Sequence, residues 1–160
     1  MKPIFLFVVV MMLLLGLGGC VSQSEGDQAE AALFQETLAQ YFSHLNQGDY
    51  AGAAKLYGGD YTTLVDWNPT VDPADHAQLL EMGCTVNGLQ CLAVRSIQEG
   101  QSKSPDSFEF AVQFENPDGS LYSRQPGDGS EEGAPQSEFV YTVVRSGGGF
   151  AVLELPVYSP

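Results

Sequence analysis

The sequence predicts an α+β domain: N-terminal helices packed on a curved antiparallel sheet. Two periodicities and the composition predict it. Phe34, Leu38, Tyr41, Phe42 and Leu45 follow one another at intervals of four, three, one and three, which lines them up on one stripe of a helix. Phe108, Phe110, Val112 and Phe114 alternate with Glu109, Ala111, Gln113 and Glu115, the period-two pattern of a half-buried strand. The chain has 160 residues, 44% hydrophobic and 11% aromatic, enough apolar material for one domain with a core and too much for a disordered chain.

The elements follow in order. The first helix sets Gln35, Glu36, Gln40 and Ser43 opposite its apolar stripe and stops at Gly48. Asp49 is placed to cap a second helix from Tyr50 to Tyr57, ended by Gly58-Gly59. Asp72-Pro73 reads as the start of a third, running through Leu79 and Leu80 to about Met82, with Gly83 as its stop. Leu92, Val94 and Ser96 then share one side of a strand. After Phe114, Asn116-Pro117-Asp118-Gly119 is a turn, and Leu121 to Arg124 can pair back as a hairpin. Residues 125–136 hold three Gly, two Pro and three acids and read as a loop. Phe139, Tyr141 and Val143 resume the alternation. A turn at Gly147-Gly148-Gly149 leads into a last strand, Phe150 to Val157.

Charge and residue counts exclude several functions. Six Lys and Arg stand against 20 Asp and Glu, a formal net charge of -14. Phosphate neutralisation needs clustered basic residues, so the chain is not a nucleic-acid binder. Two His and three Cys, none with finger-like spacing, leave no zinc site, and no metal or other cofactor is expected. Asp128-Gly129-Ser130-Glu131-Glu132 lacks the ligand spacing of a calcium loop and reads as a solvated surface segment. No Gly-x-Ser-x-Gly elbow supports hydrolase chemistry.

The first residues read as an address. Lys2 precedes an apolar run of 12 residues, Ile4 to Leu15, and then Leu17-Gly18-Gly19-Cys20. A charged start, a short apolar segment and small residues at a cut site describe an export signal. A bilayer-spanning helix needs about 20 residues. Leu17-Gly18-Gly19-Cys20 resembles the bacterial lipobox, which implies lipidation of Cys20. Residues 1–19 are then a lipoprotein signal peptide, 20–28 the lipidated Cys and a short polar tether, and 29–160 the domain, in the bacterial membrane or envelope on its extracytoplasmic side. Removing Lys2 leaves 5 basic side chains against 20 acidic ones. Such a surface is repelled by anionic headgroups, so the membrane link falls to the lipid on Cys20. Export places Cys84 and Cys91 where disulfides persist. Six residues lie between them, including the turn Asn87-Gly88, whereas redox pairs usually show a two-residue spacing. A structural disulfide closing eight residues is expected, worth about 2.5 kcal/mol by chain entropy.

Leu45-Asn46-Gln47-Gly48-Asp49-Tyr50, continued by Ala51-Gly52-Ala53-Ala54-Lys55-Leu56-Tyr57, resembles the helix-turn-helix entry of nuclear transport factor 2-like domains, the SnoaL-like or cystatin-like cone. The resemblance covers residues 29–158 and implies a curved sheet wrapped on a long helix around an apolar pocket. It implies a module that binds a small apolar ligand or a protein partner, with homodimerisation through the exposed sheet face as a further expectation. Tyr41, Tyr57, Tyr61, Asp66 and Trp67 are the candidate pocket residues. Tyr41 also belongs to the core stripe, and Trp67 could equally plug the cone. Some relatives are isomerases or dehydratases. The alternative is therefore an enzyme with Asp66 and His44 or His76 as acid–base groups. Aligned without gaps from Asn46, the family's base falls on Val65, one residue short of Asp66, and the inward strand positions Phe108 to Phe114 supply no second acid. No catalytic residue is assigned. The anchor is testable: Cys20→Ser should release or mis-process the protein, and unchanged membrane partitioning of that variant would refute the lipobox.

Overall fold

The computed structural model describes residues 22–98, 100–125 and 134–159. The expected signal segment, Cys20 and the acidic run Asp128–Glu132 lie outside the described residues. The chain divides into two units, residues 1–30 and Ala31–Pro160, and the core belongs to the second.

Four helices and an antiparallel sheet make up the described chain, an α+β arrangement. Helix α1 spans Ser22–Gln47. It begins within the stretch expected to be a short polar tether, and residues 22–28 are helical. The predicted stripe is its buried face: Phe34, Leu38, Tyr41, Phe42 and Leu45 are all buried. At its end the chain turns through Gly48, whose φ of 76° is a left-handed conformation that glycine adopts without strain. Asp49 then caps α2 (Tyr50–Leu56) by accepting from the Gly52 N–H at 2.9 Å. The Asn46 side chain ties this corner to the Cys91 carbonyl at 3.1 Å.

Helix α3 (Thr62–Trp67) has no apolar stripe long enough to show in the sequence. Its start is set by Asp60, whose Oδ1 accepts from both the backbone N–H and the hydroxyl of Thr62. Helix α4 (His76–Thr85) begins later than Asp72-Pro73 suggests. Asp72 spends its carboxylate on the Ala74 N–H in a turn of its own, and Asp75 becomes the cap, accepting from Gln78. Gly83 does not end this helix. It is buried within it, because a Cβ there would stand 2.7 Å from Leu89 Cδ1 and 3.1 Å from Leu64 Cδ2.

Strands β1 (Ala93–Ile97), β2 (Gln101–Ser104), β3 (Ser107–Glu115), β4 (Phe139–Ser146) and β5 (Gly149–Val152) form one curled sheet in the order β1-β3-β4-β5. β2 shares with β1 the edge of β3 opposite β4, pairing Gln101 with Glu109. All its residues are exposed, so no alternation marks it in the sequence. The register Phe108↔Val143, Phe110↔Tyr141, Val112↔Phe139 brings the apolar positions of β3 and β4 to one face. Helix α1 covers that face. Phe34 lies 4.7 Å from Phe108 and 4.5 Å from Phe150, and Phe42 meets Phe114 and Tyr141 edge-on at 4.8 and 4.7 Å.

Two expected strands shorten. Leu121 to Arg124 makes only single bridges, Leu121 to Glu115 and Arg124 to Gln136. The second is a closed neck, with Arg124 N–H to Gln136 O at 2.8 Å and the reverse bond at 3.0 Å. The last strand stops at Val152 rather than Val157. The Thr142 N–H, which a continuing strand would use, donates instead to the Glu154 carboxylate at 2.6 Å. The edge of β5 is occupied by Tyr57 and Gly58, whose N–H bonds the Val152 carbonyl at 2.9 Å. Cys84 and Cys91 form the expected disulfide, with their Cα atoms 5.6 Å apart.

This seam generates a prediction. A Cβ on Gly59 would overlap the Leu153 carbonyl oxygen and the Tyr57 hydroxyl. Backbone cannot yield as a side-chain tip can, so Gly59→Ala should cost about 1–3 kcal/mol in urea unfolding, the usual range for overpacking. An unchanged midpoint would contradict the close approach.

Candidate functional site: a tyrosine cluster under the second and third helices

The polar atoms in the core are mostly phenols. Tyr41 comes from the stripe of α1, Tyr57 from the residue after α2, Tyr61 from the residue before α3, and Tyr141 from the inward face of β4. Their rings are contiguous. Tyr41 and Tyr57 stack at 6.0 Å, and Tyr57 meets Tyr61 edge-on at 4.9 Å. Tyr41 touches Phe42 edge-on at 5.1 Å, and Phe42 in turn touches Tyr141. Across the half-buried Tyr61 ring lies the exposed His76 imidazole, parallel within 9° and 3.9 Å away.

Their hydroxyls differ. Tyr57 donates to the Asp60 carbonyl at 3.0 Å. The hydroxyls of Tyr41 and Tyr61 are buried and have no hydrogen-bond partner among the described residues. The Tyr122 hydroxyl, beneath Phe139 at the other end of the sheet, is in the same position. A buried hydroxyl left unpaired costs about 1–3 kcal/mol, so two such groups in one cluster are notable.

Burial pushes the Tyr61 phenol up to about 12. Burial first, then the neighbouring phenols and the negative charge of Glu154, holds Tyr41 well above the ordinary tyrosine range. Tyr57 is raised by burial, with Tyr61, Asp60 and Glu154 adding to it. Tyr141 is raised by burial and then by Glu154. These groups therefore stay neutral at physiological pH. They can donate a hydrogen bond but cannot act as bases.

The sequence-derived candidates divide. Tyr41, Tyr57 and Tyr61 come together. Asp66 is exposed on α3, and Trp67 is exposed with its ring on Tyr158, 5.1 Å away. His44 pairs with Asp49 at 2.8 Å, at the corner after α1, and His76 stacks on Tyr61. Tyr141 and Glu154 are neighbours of the cluster that lie outside the sequence-derived candidates. Tyr141 carried a signal, its place on the inward face of β4. Glu154 carried none, because it acts from beyond the end of a strand.

Away from the tyrosine cluster, an open groove of about 470 Å³ runs between the starts of α2 and α4, bordered by Asp49, Tyr50, Asp75, Gln78 and Glu81. Asp49 and Asp75 are already engaged as helix caps. Among the described residues no three acidic, His or Cys side chains are grouped as a metal would require. No protein-family model matches the chain, and no curated protein matches it.

The phenols predict an alkaline limit to stability. The folded state raises the Tyr61 pKa from about 10 to about 12, so it favours the protonated form. That contribution is complete below pH 10 and is lost as pH rises towards 12. The urea midpoint should fall across this window, and Tyr61→Phe should make the fall shallower. An identical pH dependence in the variant would show that Tyr61 is not among the groups responsible.

Proposed function

We propose that this is an exported, lipid-anchored envelope protein whose 29–160 domain is a non-catalytic binding module of the nuclear transport factor 2-like kind. Its tyrosine cluster takes a small, largely apolar ligand that carries a hydrogen-bond acceptor. The observation that carries this reading is the pair of unpartnered, buried hydroxyls of Tyr41 and Tyr61 among contacting aromatic rings. A ligand carbonyl or ether oxygen would satisfy them, and the rings would cover its apolar body. The exposed His76, lying flat on Tyr61, is the cover that a ligand would displace to enter.

The fold assignment is supported by the order of helices before an antiparallel sheet and by the Asn46-Gln47-Gly48-Asp49 corner, where each polar residue has a structural task. The export and anchor reading rests on residues 1–20 of the sequence. The enzyme alternative draws less support. Asp66 is exposed, His44 is engaged with Asp49, and neutral phenols supply no base.

An aromatic ketone, 2-acetonaphthone, compared with naphthalene is a suitable probe pair. The ketone should bind more tightly, and Tyr41→Phe and Tyr61→Phe should each weaken it about tenfold while leaving naphthalene binding unchanged. Both variants should unfold at or above the wild-type urea midpoint, because no protein hydrogen bond is lost. Equal affinity of wild type and both variants for the ketone would overturn the reading.

A further inference from the structure

Trp67 is the one tryptophan of the chain, and it is on the surface. It closes α3 at 38% exposure, with its ring 5.1 Å from that of Tyr158, itself 43% exposed. Val86, just after α4, is 65% exposed and among the most exposed large apolar side chains described. Isolated exposed apolar residues need no explanation, but grouped ones mark interaction surfaces.

The base beneath them is unusually well tied. Asn68, next to Trp67, is buried and donates through Nδ2 to Asn87 Oδ1 at 2.9 Å and to the Leu64 carbonyl at 2.8 Å. Leu89 bridges to Tyr158, and the Ser159 N–H bonds the Gly88 carbonyl at 3.0 Å. Val86, Asn87, Gly88 and Leu89 all belong to the loop that the Cys84–Cys91 disulfide closes. The aromatic pair is thus presented on a cross-linked platform, which lowers the ordering cost of binding.

The stretch of sequence that carries Trp67 has one sign of charge. Between Lys55 and Arg95 the sequence has no Lys or Arg, while it carries Asp60, Asp66, Asp72, Asp75 and Glu81. Asp66, exposed, is adjacent to Trp67. An electron-rich ring face beside a carboxylate selects cations, and guanidinium above all, because it is planar, weakly hydrated and stacks on aromatics. Trp and Tyr are also the side chains most often dominant at protein interfaces.

We propose that the Trp67–Tyr158 platform docks an extended, arginine-bearing segment of a partner protein. A guanidinium lies on the aromatic faces and Asp66 meets its charge. This surface is separate from the tyrosine cluster, and the inference does not rest on the ligand reading.

The lone tryptophan supplies the measurement. The full chain in a non-fluorescent detergent is titrated with a nine-residue peptide of alternating Arg and Leu, and with the same peptide carrying neutral citrulline for Arg. The Arg peptide should change Trp67 emission saturably and bind at least tenfold more tightly than the citrulline peptide. By calorimetry, Tyr158→Ala and Asp66→Asn should each weaken the Arg peptide several-fold with an unchanged circular dichroism spectrum. Reduction of the disulfide should weaken it too. If Tyr158→Ala fails to fold, Asp66→Asn alone decides. Absence of a saturable change, equal response to both peptides, or unaltered affinity in Asp66→Asn would overturn the proposal. So would an emission shift that follows protein concentration without peptide, since a second copy would then be the occupant.

Discussion

The structure of residues 31–159 depends on one contact surface, the stripe of α1 against the inward face of β3 and β4. Phe42 is its centre, edge-on to Phe114 and to Tyr141. Without the helix, the sheet would present Phe108, Phe110, Phe114 and Tyr141 to water. Apolar burial of this kind is the main favourable term in folding, at about 25 cal/mol per Å². The register of β3 on β4 follows from the same requirement, since a slip of one residue would turn Glu109 and Gln113 inward. The corner after α1 follows as well, because the helix must end where Gly48 and Asp49 can return the chain to the core.

Most of that frame was legible in the sequence, since periodicity reports burial directly. The stripe of α1, the alternation of β3 and β4, the Asp49 cap and the Cys84–Cys91 link all have local signatures. The misses have a common physical origin. α3 is held by one Asp60 side chain and by packing from elsewhere, with no period of its own. Gly83 looks like a stop until Leu64 and Leu89 are known to lie against it. β5 ends early because a carboxylate, Glu154, replaces a backbone carbonyl in the ladder. β1 and β2 form a broken strand around Gly100, where a Cβ would overlap the Phe110 ring. Each of these is decided by residues distant in sequence.

The candidate site shows the same division. Tyr57 and Tyr61 are legible as aromatic residues clustered around the short helices, and Tyr41 through its place on the stripe of α1. Their chemistry was not legible, since whether a phenol is paired depends on which carbonyl stands opposite it. Tyr57 meets one and Tyr61, four residues later, does not. Asp66 and Trp67 were grouped with them by sequence proximity, yet a helix of six residues turns them to a different surface. A neutral phenol in an aromatic setting can donate a hydrogen bond but cannot take up a proton as a base.

The neck formed by Arg124 and Gln136 has a practical consequence. Two reciprocal backbone bonds bring the chain back to the point it left, so the eleven residues between them connect two already fixed positions. Lengthening such a connection costs only logarithmically, about 0.6 kcal/mol for each doubling. An epitope, a fluorophore-bearing peptide or a small folded guest can be inserted there with the sheet on either side kept in register. A label attached there changes the length of one connection and leaves the neck that closes it intact.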